Sequence, residues 1–146
     1  MILRNRRMTA NEYTEKLRGA GLRASAQRIA VLEFMDGSYS HPTAEEIYRA
    51  LLPTYPTLSL TTVYNTVHTL VESGLLREVE IDAANLRFDT ASRPAHGHFR
   101  CRRCGRIFDM PLTDGAFDET VPAGFEVDTI DVYFKGVCFD CKNKDN

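Results

Sequence analysis

The chain has no apolar run approaching the roughly 18 residues of a membrane span, which excludes a spanning helix. Its first residues, Met1-Ile-Leu-Arg-Asn-Arg-Arg-Met8, are basic but lack the apolar stretch of a secretory signal. A cytoplasmic location is therefore expected, where disulfides are disfavoured. A large charge of one sign is also missing: the formal net charge is -2, which argues against indiscriminate binding to nucleic acid. Internal repeats and low-complexity tracts are absent, and cysteine is scarce, with four residues in all.

What is present describes a soluble globular protein, with 43% hydrophobic and 26% charged residues. At 146 residues the chain is one ordinary domain or two small ones, and a half-length domain is near the size where a core alone is marginal, so extra staples are expected. Charge is distributed unevenly. Residues 1–28 hold Arg4, Arg6, Arg7, Lys16, Arg18, Arg23 and Arg28 against Glu12 and Glu15, a local +5 that fits either a phosphate-facing end or a solvated helix face.

The first half reads as short helices. Thr9-x-x-Glu12 and Thr43-x-x-Glu46 are capping boxes, and the first opens a helix that stops near Gly19 or Gly21. A second helix, from about Ala26 to Met35, ends at Asp36-Gly37. The third carries Ile47, Ala50 and Leu51 and is stopped by Pro53. Ser59 caps a fourth, in which Leu60, Val63, Val67 and Leu70 form a core face and Gly74 marks the end. Its other face, Thr61, Thr62, Tyr64, Asn65 and His68, contains no carboxylate. Strand-like periodicity follows in Leu75–Ile81 and Leu86–Thr90 around the turn Asp82-Ala-Ala-Asn85. Helices followed by a hairpin make a winged helix. Tyr64 by itself is more often a core or rim residue; the helix and wing context supports a DNA face.

Ala91-Ser-Arg-Pro94 reads as a linker, so the expected division is a winged-helix domain over 1–90 and a small second domain over 91–146. Strands are expected at Gly97–Arg100, Arg106–Met110 and Phe125–Val137, with a weak helix near Thr113–Thr120. The fold class is α+β. A sheet this poor in apolar residues needs metal and a second copy to stabilise it.

All four cysteines fall in two pairs, Cys101-x-x-Cys104 and Cys138-x-x-Cys141, the spacing at which two thiolates of one turn grip a tetrahedral Zn2+. A redox dithiol would not explain the second pair. His96 and His98, two apart on a strand, point to one face and suggest a second ion without completing its shell. Asp89, Asp109 and His41 are available to supply the rest, although each alone also reads as a surface or loop residue.

In order along the chain, His41-Pro-Thr-Ala-Glu-Glu-Ile-Tyr48, Ser59-Leu-Thr-Thr-Val-Tyr64, Glu72-Ser-Gly-Leu75, Arg87-Phe-Asp89, His96-x-His98 and Cys101-x-x-Cys104-Gly105 resemble the motifs of the ferric uptake regulator family, in register with Cys138-x-x-Cys141. The resemblance covers nearly the whole chain after residue 10. It implies a homodimeric repressor that reads a double-stranded palindromic operator with the helix around Tyr64, not an enzyme. It also implies structural Zn2+ on the four cysteines in a C-terminal α/β dimerisation domain, and a regulatory ion bound by His41, Asp89, His96, His98 and Asp109.

Within the family the resemblance favours the peroxide-sensing repressors, because Asp89 and Asp109 stand where iron sensors usually have glutamate and Asn65 where they often have arginine. Ala95, Gly97, Ala116 and Ile130 stand where many iron regulators hold a further site. The 109–124 segment is a few residues shorter than usual, and Met1–Met8 is an extension.

Three imidazoles and two carboxylates suit Fe2+ or Mn2+ and leave a position open for a small oxidant. The resemblance further implies peroxide sensing through iron-catalysed oxidation of His41 or His96. The alternatives are a divalent-metal uptake regulator without peroxide sensing and, in another class, a metalloenzyme, for which no residue demands a general base or a substrate pocket. Arg23 and Arg28 are the expected phosphate contacts, and Thr61, Thr62, Tyr64, Asn65 and His68 the expected groove-facing residues.

Overall fold

Thr9 and Thr43 open helices by the reciprocal hydrogen bonding their spacing predicts. In a computed structural model, which describes residues 7–38, 40–80, 85–91, 96–128 and 130–144, the Thr9 hydroxyl accepts the Glu12 N–H at 3.3 Å while Glu12 accepts the Thr9 N–H at 2.6 Å. The Thr43 and Glu46 pair does the same, at 3.2 Å in each direction. Residues 1–6 of the extension, 81–84 at the expected turn, 92–94 of the expected linker and Ala95 lie outside the described residues.

The chain divides into two units, Met1–Ser92 and Arg93–Asn146. In the first, α1 (Ala10–Gly19), α2 (Ala26–Asp36), α3 (Ala44–Leu51) and α4 (Leu60–Glu72) pack around Leu17, Leu32, Met35, Ile47, Val63, Val67 and Leu70. Ser25 and Ser59 cap α2 and α4. Gly21 and Gly74 take positive φ where α1 and α4 end, a conformation that costs glycine little. Leu76 of β1 (Leu76–Val79) and Phe88 of β2 (Arg87–Thr90) complete the core from an antiparallel hairpin in which Leu76 pairs with Thr90 and Val79 with Arg87. Helices and hairpin form the expected winged helix.

The second unit is a three-stranded sheet in the order β4-β3-β5. Its centre, β3 (His96–Cys101), runs antiparallel to β4 (Ile107–Pro111) and parallel to β5 (Tyr133–Gly136). Gly97 permits the close approach of β5, since a Cβ there would meet the Val132 carbonyl at 3.2 Å and the Phe134 ring at 3.3 Å. A short α5 (Phe139–Asn143), not anticipated from the sequence, follows.

Two expectations are corrected. The long strand over 125–137 shrinks to Tyr133–Gly136, because a strand persists only where a neighbour supplies a ladder, and β3 pairs only those four residues. The helix near 113–120 is a 3-10 turn, Asp118–Thr120. Gly115 sits at φ 73°, which interrupts any α-helix, and its carbonyl accepts the Asp118 N–H.

Candidate metal centres and nucleic-acid face

Strand register explains how the four cysteines meet. Cys101, the last residue of β3, lies beside Gly136, the last of β5, so Cys138 two residues later arrives at the same end of the sheet, and α5 brings Cys141. On the other side the chain turns tightly: Gly105 has φ 73° and donates its N–H to the Cys101 carbonyl at 2.9 Å. All four sulfurs lie within 4.8 Å of one another, with Cys104 and Cys138 at 3.8 Å. That separation is far beyond a disulfide bond of about 2.05 Å. It matches the edge of a tetrahedron, about 3.8 Å, whose centre is about 2.3 Å from each sulfur, the usual zinc–sulfur distance.

The electrostatics favour the thiolate at Cys101 and Cys104. The backbone N–H groups of Cys104 and Cys138, at 3.5 and 3.3 Å, point at the Cys101 sulfur and lower its pKa to about 5 against the opposing effect of burial. Cys104 is lowered as well, first by the Arg106 backbone N–H and then by the Arg106 side chain. Cys141 is pushed up to about 12, chiefly by its hydrogen bond with Cys138 and then by burial. Four neighbouring sulfurs cannot all ionise without a compensating charge, and a dication facing all of them supplies it. The donor set and its geometry fit zinc.

Residues of the second candidate set come from both units. In the second unit, His96 and His98 share a face of β3, and Asp109 is the direct cross-strand partner of His98 on β4. The two Nε2 atoms lie 3.2 Å apart, and Asp109 Oδ1 is 3.4 Å from His96 Nε2 and 3.9 Å from His98 Nε2. Two imidazoles and a carboxylate therefore converge on one point, with the histidine side chains only 8% and 10% exposed.

In the first unit, His41 and Asp89 are both buried and present donor atoms within 4.8 Å of each other. The contact is built by β2 docking on the loop before α3. Phe88 donates its N–H to the Pro42 carbonyl at 3.0 Å, Thr43 and Arg87 form an isolated bridge, and the Arg87 guanidinium donates to the His41 carbonyl at 3.1 Å. His41 is held at φ 53°, a left-handed conformation that is uncommon for any residue with a side chain and is maintained only where surroundings dictate it. Sequence reasoning missed Arg87 in this role, since no local pattern marks a side chain that caps a carbonyl 46 positions away.

The polar face of α4 is open. Tyr64 is 50% exposed, and Thr61 and Asn65 are also exposed. Thr62 is half-buried and shares a 2.8 Å hydrogen bond with the capping Ser59, so its hydroxyl serves the helix N-terminus. His68, exposed, lies 3.3 Å from Glu72 one turn later. Between this face and the hairpin lies a cavity of about 250 Å³ lined by Tyr64, His68, Asn85, Leu86 and Phe88 among others. Arg23 is exposed, while Arg28 is half-buried and turns its guanidinium back onto the Arg23 carbonyl at 2.6 Å. Among the described residues, no helix is long and apolar enough to cross a membrane.

The model of the ferric uptake regulator family matches residues 19–135. The chain belongs to that family. Its members are transcriptional regulators and not enzymes. Over 138 residues the chain is 38% identical to the peroxide operon regulator of Bacillus subtilis, covering 92% of this chain and 94% of that protein. The ferric uptake regulator of Helicobacter pylori, a structure described as revealing three functional metal binding sites, has the same fold, with a TM-score of 0.79 at 23% identity over 94% of this chain and 97% of that one. The peroxide-sensing regulator PerR of Streptococcus pyogenes is 32% identical over 94% and 97% of the two chains, with a TM-score of 0.51.

Proposed function

We propose that this member of the family is a metal-dependent repressor of the peroxide-sensing type. In this reading Cys101, Cys104, Cys138 and Cys141 hold a structural Zn2+, and His41, Asp89, His96, His98 and Asp109 together hold a regulatory Fe2+ or Mn2+. The observation that carries it is the convergence of His96, His98 and Asp109 on one point, a nitrogen and oxygen set that suits these ions and is incomplete by itself. The buried pair His41 and Asp89 is the same kind of set, and it belongs to the other unit. One ion shared by both halves ties the winged helix to the second unit and fixes the half-site spacing of a homodimer on palindromic operator DNA. Support for the dimer comes from β5, an edge strand whose Tyr133 and Phe134 are exposed, and support for a cytoplasmic role from thiols suited to a reducing compartment.

The roles of the chain's own residues follow. The imidazoles of His41, His96 and His98 bind as neutral ligands; Asp89 and Asp109 supply negative charge. Thr61, Tyr64 and Asn65 face the major groove, with Thr62 and His68 beside them, and Arg23 and Arg28 lie nearest the phosphates. Iron(II) held by these residues would supply reactivity toward hydrogen peroxide, and a ring carbon–hydrogen bond of His41 or His96 would take up one oxygen atom while the other left as water. An oxidised ring would be a poorer ligand, and loss of the ion would release DNA.

Operator binding measured by fluorescence anisotropy with Fe2+ or Mn2+, before and after brief peroxide treatment, tests this reading. Peroxide should release DNA from the iron form and leave the manganese form bound, with peptide mass spectrometry finding one added oxygen on His41 or His96 only with iron. Release that follows zinc loss and cysteine oxidation with either metal sinks the peroxide mechanism. A repressor that responds to metal and ignores peroxide is instead an uptake regulator.

A further inference from the structure

Asp36 ends α2, where a carboxylate opposes the helix dipole and gains nothing from local structure. A residue at odds with its local setting calls for a tertiary explanation, and two hydroxyls from other elements provide one. Tyr13 of α1, 3% exposed, donates its phenol to Asp36 Oδ2 at 2.9 Å. Thr90 of β2, also 3% exposed, donates its hydroxyl to Asp36 Oδ1 at 3.4 Å. Burial and the Asp36 carboxylate both raise the Tyr13 pKa, which keeps the phenol protonated as a donor.

The same Thr90 donates its backbone N–H to Asp89 Oδ1 at 2.8 Å, in a setting where Asp89 is 2% exposed. A continuous path of hydrogen bonds thus runs from Tyr13 through Asp36 and Thr90 to the Asp89 carboxylate. The Thr90 backbone is set from two sides, by its pairing with Leu76 in the hairpin and by its side-chain anchor on Asp36. Since an ion needs one carboxylate oxygen, a hydrogen bond fixing the other decides how the group is presented.

We infer that Asp36 is a positioning residue for Asp89, acting through Thr90 and supported by Tyr13, and that it links ion binding to the packing of α1 against α2. This rests on the ligand role proposed for Asp89. The linkage is reciprocal: an ion that draws Asp89 into place strengthens the path, and a secure path presents Asp89 to the ion.

The test uses the full-length, zinc-loaded protein and its Thr90→Val, Asp36→Asn, Tyr13→Phe and Asp89→Asn variants, titrated with Mn2+ and followed by electron paramagnetic resonance. Thr90→Val keeps the shape of the side chain and removes the hydroxyl that reaches Asp36. It and Asp36→Asn should weaken Mn2+ binding about 10-fold, the lower end of the effect of outer-shell partners, and alter the line shape of the bound ion. Tyr13→Phe should do less, and zinc content should not change. Thermal melts without Mn2+ separate a merely structural role: a lower melting temperature with wild-type Mn2+ affinity and line shape overturns the inference. Asp89→Asn should abolish binding. Should it bind Mn2+ like wild type, the ligand reading itself fails, and the inference with it. Unfolding of Asp36→Asn leaves Thr90→Val to decide.

Discussion

Four helices and a hairpin in the first unit share one apolar cluster running from Tyr13 and Leu17 through Ile47 and Leu70 to Phe88. In the second unit the buried cluster among the described residues is Cys101, Cys138 and Cys141, flanked by partly buried Phe99, Phe108 and Val137. Large apolar groups that would build a core there face outward instead: Phe125 is 70% exposed and Phe139 80%. One unit is held by removing apolar surface from water, the other by gathering metal-binding sulfur at the end of a small sheet. Units held by different physics should fail under different insults.

Zinc is the sharpest of these. Structural zinc in small domains is worth about 10–16 kcal/mol of binding free energy that is also folding free energy. Cys101→Ser or Cys138→Ser should therefore lose zinc, measured by atomic emission, and collapse the amide dispersion of residues 96–144 in a two-dimensional NMR spectrum, while the resonances of residues 10–80 persist. A second unit that stays folded without zinc would remove the contrast.

The converse substitution is Leu70→Ala, at a fully buried position of α4. Its expected cost is about 2–5 kcal/mol, from lost transfer free energy and the cavity left behind. Calorimetry should show the helical transition moving down with zinc still bound. Equal destabilisation of both units would show that they unfold as one.

How much of this was legible in the sequence follows the same division. In the first unit, caps, stops and apolar spacing are local signals, so all four helices and the hairpin could be read from them; Thr9-x-x-Glu12 specifies its own hydrogen bonds wherever it occurs. In the second unit, Cys-x-x-Cys named the sulfurs, but their meeting depends on the parallel pairing of Cys101 with Gly136, which is not local. The strand expected at 125–137 fails for the same reason, since β propensity does not supply a neighbour. The contacts of Thr90 and Arg87 were not legible because their partners, Asp36 and the His41 carbonyl, lie 54 and 46 positions away.

A subtler contrast lies within the exposed polar surface of the first unit. Asn65→Arg should change the ranking of operator sequences in a binding selection, by about 1–3 kcal/mol at the affected base pair. Arg23→Ala should weaken all operators alike and flatten the salt dependence. An unchanged ranking for Asn65→Arg would deny it a part in base recognition, and a sequence-dependent loss for Arg23→Ala would assign it one.

The smallest effect concerns helix ends. Every α-helix of the first unit has a side-chain cap, whereas α5 of the second, five residues long, begins at Cys138 with none. Thr9→Ala and Thr43→Ala remove the same motif and should each cost about 1 kcal/mol, read from the denaturation midpoint. Their consequences should then diverge. Thr43 follows the strained His41 by two residues, so loosening the first turn of α3 relaxes the loop that holds that imidazole beside Asp89. Manganese affinity should fall a few-fold for Thr43→Ala and stay unchanged for Thr9→Ala, because part of a cap energy of about 1 kcal/mol is all that is available to lose. Equal affinities in the two variants would mean that the bonds from Arg87 and Phe88 hold the loop without help from the cap.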